Sequence, residues 1–150
     1  MSPNLIQPNV ECRIRSIEGD SGARLTQMGI LPGVEMRIVR TSPFGNGTVE
    51  VMIGGADVVA LRSDEIVAME CDLVAVPLSS PAIEQADYRV SMLAGGQGFK
   101  RRMAALGVVE GARVQVISTL PLLISAQGKQ VRLGRGEADK VVVEEVADES

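Results

Sequence analysis

Two cysteines, Cys12 and Cys71, are the only thiols in a chain of 150 residues that contains no histidine. A cysteine or serine becomes a strong nucleophile through a neighbouring base, most often an imidazole. Its absence excludes Cys–His dyads, Ser–His–Asp triads and histidine-rich metal sites. Two thiolates make only half of a tetrahedral zinc or iron shell, and the other ligands would have to be carboxylates, which suit harder ions. Cys12 alternates with apolar residues, so a buried free thiol is its expected state. A reducing compartment disfavours a structural disulfide, which leaves reversible oxidation or metal sharing as the lesser alternatives. No catalytic residue, resident metal or cofactor is expected.

Three other stretches carry polar chemistry. GGQG (95–98) has the glycines of a phosphate-cradling loop but lacks the GxxxxGK[ST] spacing and a strand-to-helix setting. A longer loop explains it better. The acidic stretches DEI (64–66) and EADK (137–140) have no EF-hand spacing and read as exposed turns. The basic run Lys100-Arg101-Arg102 is expected at the start of a helix, where the positive end of the macrodipole disfavours cations. It reads as a solvated face or as a docking patch for an acidic partner or for the acidic half of the chain.

The elements that position these residues come in two copies. RLTQMGILPG (24–33) returns as RMAALGVVEG (102–111), and 24–39 aligns with 102–117 without a gap. Arg24/Arg102, Gly29/Gly107 and Gly33/Gly111 are identical in the two copies. Upstream, CRIRSIEG (12–19) matches YRVSMLAG (88–95), with two extra residues in the second copy. Downstream, VALRSDEIVAM (59–69) has a looser match in VRLGRGEADKVVV (131–143). Two copies of so long a period indicate duplicated domains. The Pro- and Ser-containing stretch 74–85 reads as the connection. The expected division is 1–76, a linker at 77–81, and 82–150.

Within a copy, alternation in VECRIRSI (10–17) predicts a half-buried strand. A short helix follows at 23–28, with Asp20 or Ser21 as N-cap and Gly29 as a left-handed stop. Pro32-Gly33 suits the centre of a type II turn. The two aliphatics between the glycines are expected to insert into the core. More short strands follow, separated by the turn cluster SPFGNG (42–47) and by Gly54-Gly55. Short antiparallel strands with frequent glycine turns predict a small bent β-barrel. Gly29, Gly33, Gly107 and Gly111 are therefore structural residues.

Composition agrees with a globular chain, at 45% hydrophobic and 23% charged residues, with aliphatic cores because aromatics are only 2%. The net charge of −4 opposes nucleic-acid binding. It is unevenly spread: residues 1–76 hold 6 basic and 10 acidic side chains, and 77–150 hold 9 of each. No run is long and apolar enough to span a bilayer, and the N-terminus lacks the features of a secretory signal, so a cytoplasmic location is expected.

LTQMGILPGVEMRIVR, SPFGNGTVEV and ALRSDEI together resemble the ferrous-iron transport protein A (FeoA) family. RMAALGVVEGARVQVI and LGRGEADKVVV resemble it again, although STLPLLISAQG replaces the PFG segment there. The resemblance implies a mainly β fold of two tandem SH3-like barrels, each with one short helix. It implies a non-enzymatic, cytosolic accessory of ferrous iron uptake that binds the cytosolic part of a FeoB-type transporter. Any self-association is expected to be weak. The same SH3-like domain ends regulators of the diphtheria-toxin-repressor type, so a metal-responsive transcriptional regulator fragment or co-regulator is the alternative. No helix-turn-helix precedes the domain here. Lys100, Arg101 and Arg102 are the candidate interaction residues.

Overall fold

The computed structural model describes residues 1–19, 22–42 and 47–146. The expected caps Asp20 and Ser21, and residues 43–46 of the turn cluster, lie outside them. The chain divides into two units, Met1–Val74 and Ala75–Ser150.

In the first unit, β1 (Glu11–Ile17) is followed by α1 (Gly22–Gln27) and then by β2 (Glu35–Thr41), β3 (Thr48–Ile53) and β4 (Asp57–Arg62). A second helical turn, α2 (Ser63–Val67), leads into β5 (Met69–Pro77). The strand order is β4-β3-β2-β1-β5, with β1–β2, β2–β3 and β3–β4 antiparallel. The alternation read in β1 holds: Cys12 and Ile14 are buried while Arg13 and Arg15 face solvent. Leu25 from α1 joins Met36, Ile38, Val51, Leu61 and Ile66 in the core.

The second unit repeats this plan. It contains β6 (Asp87–Leu93), α3 (Gln97–Ala105), β7 (Arg113–Thr119), β8 (Leu122–Ala126), β9 (Lys129–Arg132), α4 (Arg135–Ala138) and β10 (Val141–Glu145). The order β9-β8-β7-β6-β10 matches that of the first unit, and β10 also pairs with residues 76 and 77 of β5. Both units carry a register shift in the same strand, at Ile38/Arg40 and at Val116/Ser118. The fold is mainly β, in two SH3-like barrels. Each has a second short helix besides the one expected, formed where LRSDEI and LGRGEA coil before the last strand.

The duplicated glycine segment has one hydrogen-bond plan. Ile30 N–H donates to the Leu25 carbonyl (2.9 Å) and Gly29 N–H to that of Thr26 (3.1 Å). Val108 to Met103 (2.8 Å) and Gly107 to Ala104 (3.0 Å) repeat the pattern. These are the two bonds of a Schellman cap, which requires a left-handed residue after the helix, and Gly29 and Gly107 have φ of +86° and +84°. A turn follows at once, closed by Val34 N–H to the Leu31 carbonyl (3.1 Å) and Ala112 N–H to that of Val109 (3.0 Å). Its third residue, Gly33 or Gly111, has φ of +93° or +86°. Each of these glycines then donates back to the first strand, Gly33 to Ile14 (2.7 Å) and Gly111 to Val90 (2.8 Å).

One expectation about this segment is overturned. Only the first aliphatic enters the core: Ile30 and Val108 are fully buried, whereas Leu31 and Val109 are 43% and 40% exposed. The second aliphatic is the first residue of the turn, and its side chain leaves the core as the chain reverses.

The stretch expected to be a linker packs against the second unit. Leu78, Ser80 and Ile83 are buried, and Leu78 N–H donates to the Val141 carbonyl at 2.9 Å. Prolines supply the bends, while the aliphatic residues between them find the core of the following strands.

Candidate functional site

Cys12 on β1 and Cys71 on β5 lie on neighbouring strands, and their thiols are hydrogen-bonded. Both are free, Cys12 fully buried and Cys71 half-buried. The hydrogen bond to Cys71 and burial push the Cys12 thiol far above its usual range. The bond from Cys12 holds Cys71 below its usual range, against the opposing effect of burial. Cys71 is thus the more acidic thiol and the one solvent reaches. Among the described residues no group of three or more His, Cys, Asp and Glu side chains gathers to hold a metal ion.

Of the Lys100–Arg102 run only Lys100 falls in the first turn of α3, which it closes, while Arg101 and Arg102 lie beyond it. The helix begins at Gln97, behind Gly96 as N-cap, so Arg102 stands in the last turn, where the macrodipole favours a cation. Phe99 and Met103 turn inward and anchor the helix, which leaves Arg101 and Arg102 exposed and Lys100 half-buried. The Arg102 guanidinium and the Lys140 ammonium lie 5.9 Å and 5.4 Å from the Phe99 ring centre, within cation–π range. Gly95 has a packing reason: a Cβ there would fall 2.3 Å from the Phe99 ring. The GGQG stretch therefore admits an aromatic side chain.

In the first unit, the counterpart of Arg102 is occupied differently. Arg24 meets Glu65 at 2.5 Å, and Glu65 is only 3% exposed. Burial alone would raise the Glu65 carboxyl. The Arg62 N–H (3.0 Å) and the charge and hydrogen bond of Arg24 outweigh it and hold the group below the usual range. The second unit keeps the backbone half of this arrangement, Gly134 N–H to Glu137 at 3.3 Å, without the arginine. The sequence signal for the pair was present, since Arg24 and Glu65 both recur in the repeat.

The contrast extends to all charges. Arg13–Glu35, Arg15–Glu70, Arg15–Asp72 and Arg40–Glu50 join Arg24–Glu65 as ion pairs of the first unit. No basic side chain of the second unit forms an ion pair with a described carboxylate. The two units also present different hollows. That of the first, about 460 Å³, is lined by Glu11, Glu35 and Arg37 together with two methionines, so its walls carry both signs. That of the second, about 610 Å³, has an apolar floor and two arginines, Arg132 and Arg135, with no acidic residue among its walls. The sequence reading missed this groove, whose floor comes from segments far apart in the chain.

Comparison with known proteins agrees with the duplicated fold. The family model described as FeoA domain matches the chain twice, over residues 4–72 and 76–145. The chain belongs to the FeoA family, whose members are small proteins associated with ferrous iron uptake and not a known enzyme family. Iron(II) transport protein A from Clostridium thermocellum is similar over 99% of this chain and 90% of its own, at 31% identity and a TM-score of 0.55. An iron uptake regulatory protein (FeoA) is similar over 49% of this chain and 100% of its own, at 30% identity and a TM-score of 0.44. A FeoA-like protein from Clostridium acetobutylicum covers 49% and 85%, at 20% identity and a TM-score of 0.43. No curated protein matches the chain. Among the described residues no helix is long and apolar enough to cross a membrane.

Proposed function

We propose that this protein is a cytoplasmic, non-enzymatic accessory of ferrous iron uptake that acts by binding the cytosolic part of a FeoB-type transporter. The observation that carries the reading is the cationic face of α3 in a FeoA-family chain. Lys100, Arg101 and Arg102 have no carboxylate partner among the described residues, while the counterpart Arg24 is committed to Glu65. Unpaired cations on a rigid helix favour encounter with an acidic surface and set its orientation. A chain without histidine lacks the side chain most often used as a general base, which supports binding over catalysis.

The test is binding of the full chain to the purified cytosolic part of the transporter from the same source. The variant Lys100→Glu/Arg101→Glu/Arg102→Glu should bind about tenfold more weakly, with the difference shrinking as salt rises. Its melting should match that of the unaltered protein, because these side chains hold no partner of their own unit beyond the Phe99 ring. No binding by the unaltered chain, or equal binding by the variant, would sink the reading.

A further inference from the structure

We infer that the groove of the second unit binds an extended peptide segment in which aliphatic side chains are flanked by carboxylates. Leu78, Ile83, Leu133 and Ala138 form its floor, all between 2% and 7% exposed. The turn between β7 and β8 forms one wall and places Leu120 at the lip, 93% exposed. Arg132, at the end of β9, and Arg135, at the start of α4, supply the charge. At about 610 Å³ the hollow falls in the size range of ligand sites.

The occupant follows from what each part lacks. An apolar floor beside an isolated exposed leucine gains by excluding water, which calls for aliphatic groups on the ligand. Arg132 and Arg135 form no ion pair or side-chain hydrogen bond with a described residue. The carboxylates nearest in sequence are already bonded to the groove's own wall rather than to the arginines: Glu137 accepts the Gly134 N–H and Asp139 accepts the Ser79 hydroxyl. Two unpaired guanidiniums over a wall without acids select carboxylates, which they can bind in bidentate fashion. A simple anion would leave the floor unused. Nucleic acid is opposed by the overall charge of −4. A peptide carrying both groups uses floor and rim together. This goes beyond the iron-uptake reading, since any protein offering such a segment qualifies, and α3 plays no part in it.

The experiment is fluorescence anisotropy of the full chain with a labelled octapeptide of two adjacent leucines flanked by glutamates. Replacing the glutamates by lysine, or the leucines by serine, should weaken binding by about tenfold or more. Arg132→Glu/Arg135→Glu should lose a similar factor, and Leu120→Ser a factor of about three. Lys100→Glu/Arg101→Glu/Arg102→Glu should stay within about twofold, which separates this site from the proposed transporter contact. If reversing both arginines lowers the melting temperature, Arg132→Gln/Arg135→Gln with unchanged melting serves instead and should still weaken binding. The inference is overturned if the peptide shows no saturable binding up to about 1 mM. It is equally overturned if the lysine peptide binds as well, or if the arginine variants bind normally. Sedimentation showing a dimer that Leu120→Ser dissociates would assign the groove to a second copy and overturn the peptide reading.

Discussion

The first unit ties its repeated arginine to a glutamate, and the second leaves the same arginine pointing outward. Arg24 meets Glu65 at 2.5 Å across 41 residues of sequence. Arg102 stands over Phe99, and Glu137 is held only by the Gly134 N–H. The helix α1, GARLTQ, holds no aromatic residue, so only the second unit offers its arginine a ring on the same helix. A ring face attracts an exposed cation by about 0.5–1 kcal/mol. A charged hydrogen bond to a carboxylate is worth about 1.5–3 kcal/mol. The lesson is that duplication preserved residue positions while their partners changed. The first unit pairs its exposed arginines with its own acids, and the second leaves its cations without a carboxylate partner among the described residues.

Four measurements break or sharpen this contrast. The largest effect belongs where the units should agree. Leu25 and Met103 are both fully buried helix anchors. Leu25→Ala and Met103→Ala should each cost their unit about 2–5 kcal/mol in denaturant unfolding. A far smaller loss for Met103→Ala would mean that α3 is not anchored as α1 is.

The second measurement separates the units. Arg24→Ala should cost about 1–3 kcal/mol because Glu65 stays buried with a lost partner. Arg102→Ala should cost about 0.5 kcal/mol or less, as at an ordinary surface site. Double-mutant cycles with Glu65→Gln and Glu137→Gln should show coupling only in the first pair. Equal coupling in both units would end the comparison.

The third uses acid. The folded first unit holds Glu65 below its ordinary value of 4.5, so its ionised form is bound more tightly by the folded state. That stability is fully present above about 4.5 and is lost as pH falls through the depressed folded value. Melting temperature against pH should fall more steeply below about 4.5 in the unaltered protein than in Glu65→Gln. Arg24→Ala should flatten the profile part-way, since the Arg62 N–H remains. A profile unchanged by Glu65→Gln would remove the carboxylate from the account.

The smallest difference lies in the duplicated caps. Gly29→Ala and Gly107→Ala each force a side chain into left-handed backbone, at about 1–2 kcal/mol. Gly107→Ala should cost slightly more, because its Cβ would stand 3.0 Å from Gln127 Cδ while nothing lies within 4 Å at Gly29. Thermal melts of the two variants decide it, and a larger loss at Gly29 would contradict the packing seen around Gly107.

How much was legible follows from the range of each interaction. The alternation of β1 and the helix stop at Gly29 were readable because both are set by backbone geometry within a few residues. The start of α3 was read too late, because Gly96 and Gln97 open the helix and only Lys100 of the basic run falls in its first turn. The groove of the second unit was invisible, since its floor joins Leu78, Leu133 and Ala138 from distant segments.

The sequence alone determined the duplication, the Schellman caps at Gly29 and Gly107, the turns at Gly33 and Gly111, and the mainly β class. All of these depend on local hydrogen bonds and on the period of apolar residues. Tertiary structure decided that Ile30 is buried and Leu31 is not, that Cys12 meets Cys71, and that Arg24 finds Glu65 while Arg102 finds none. Those outcomes depend on which strands become neighbours when each sheet curls around its core, and no local spacing encodes that.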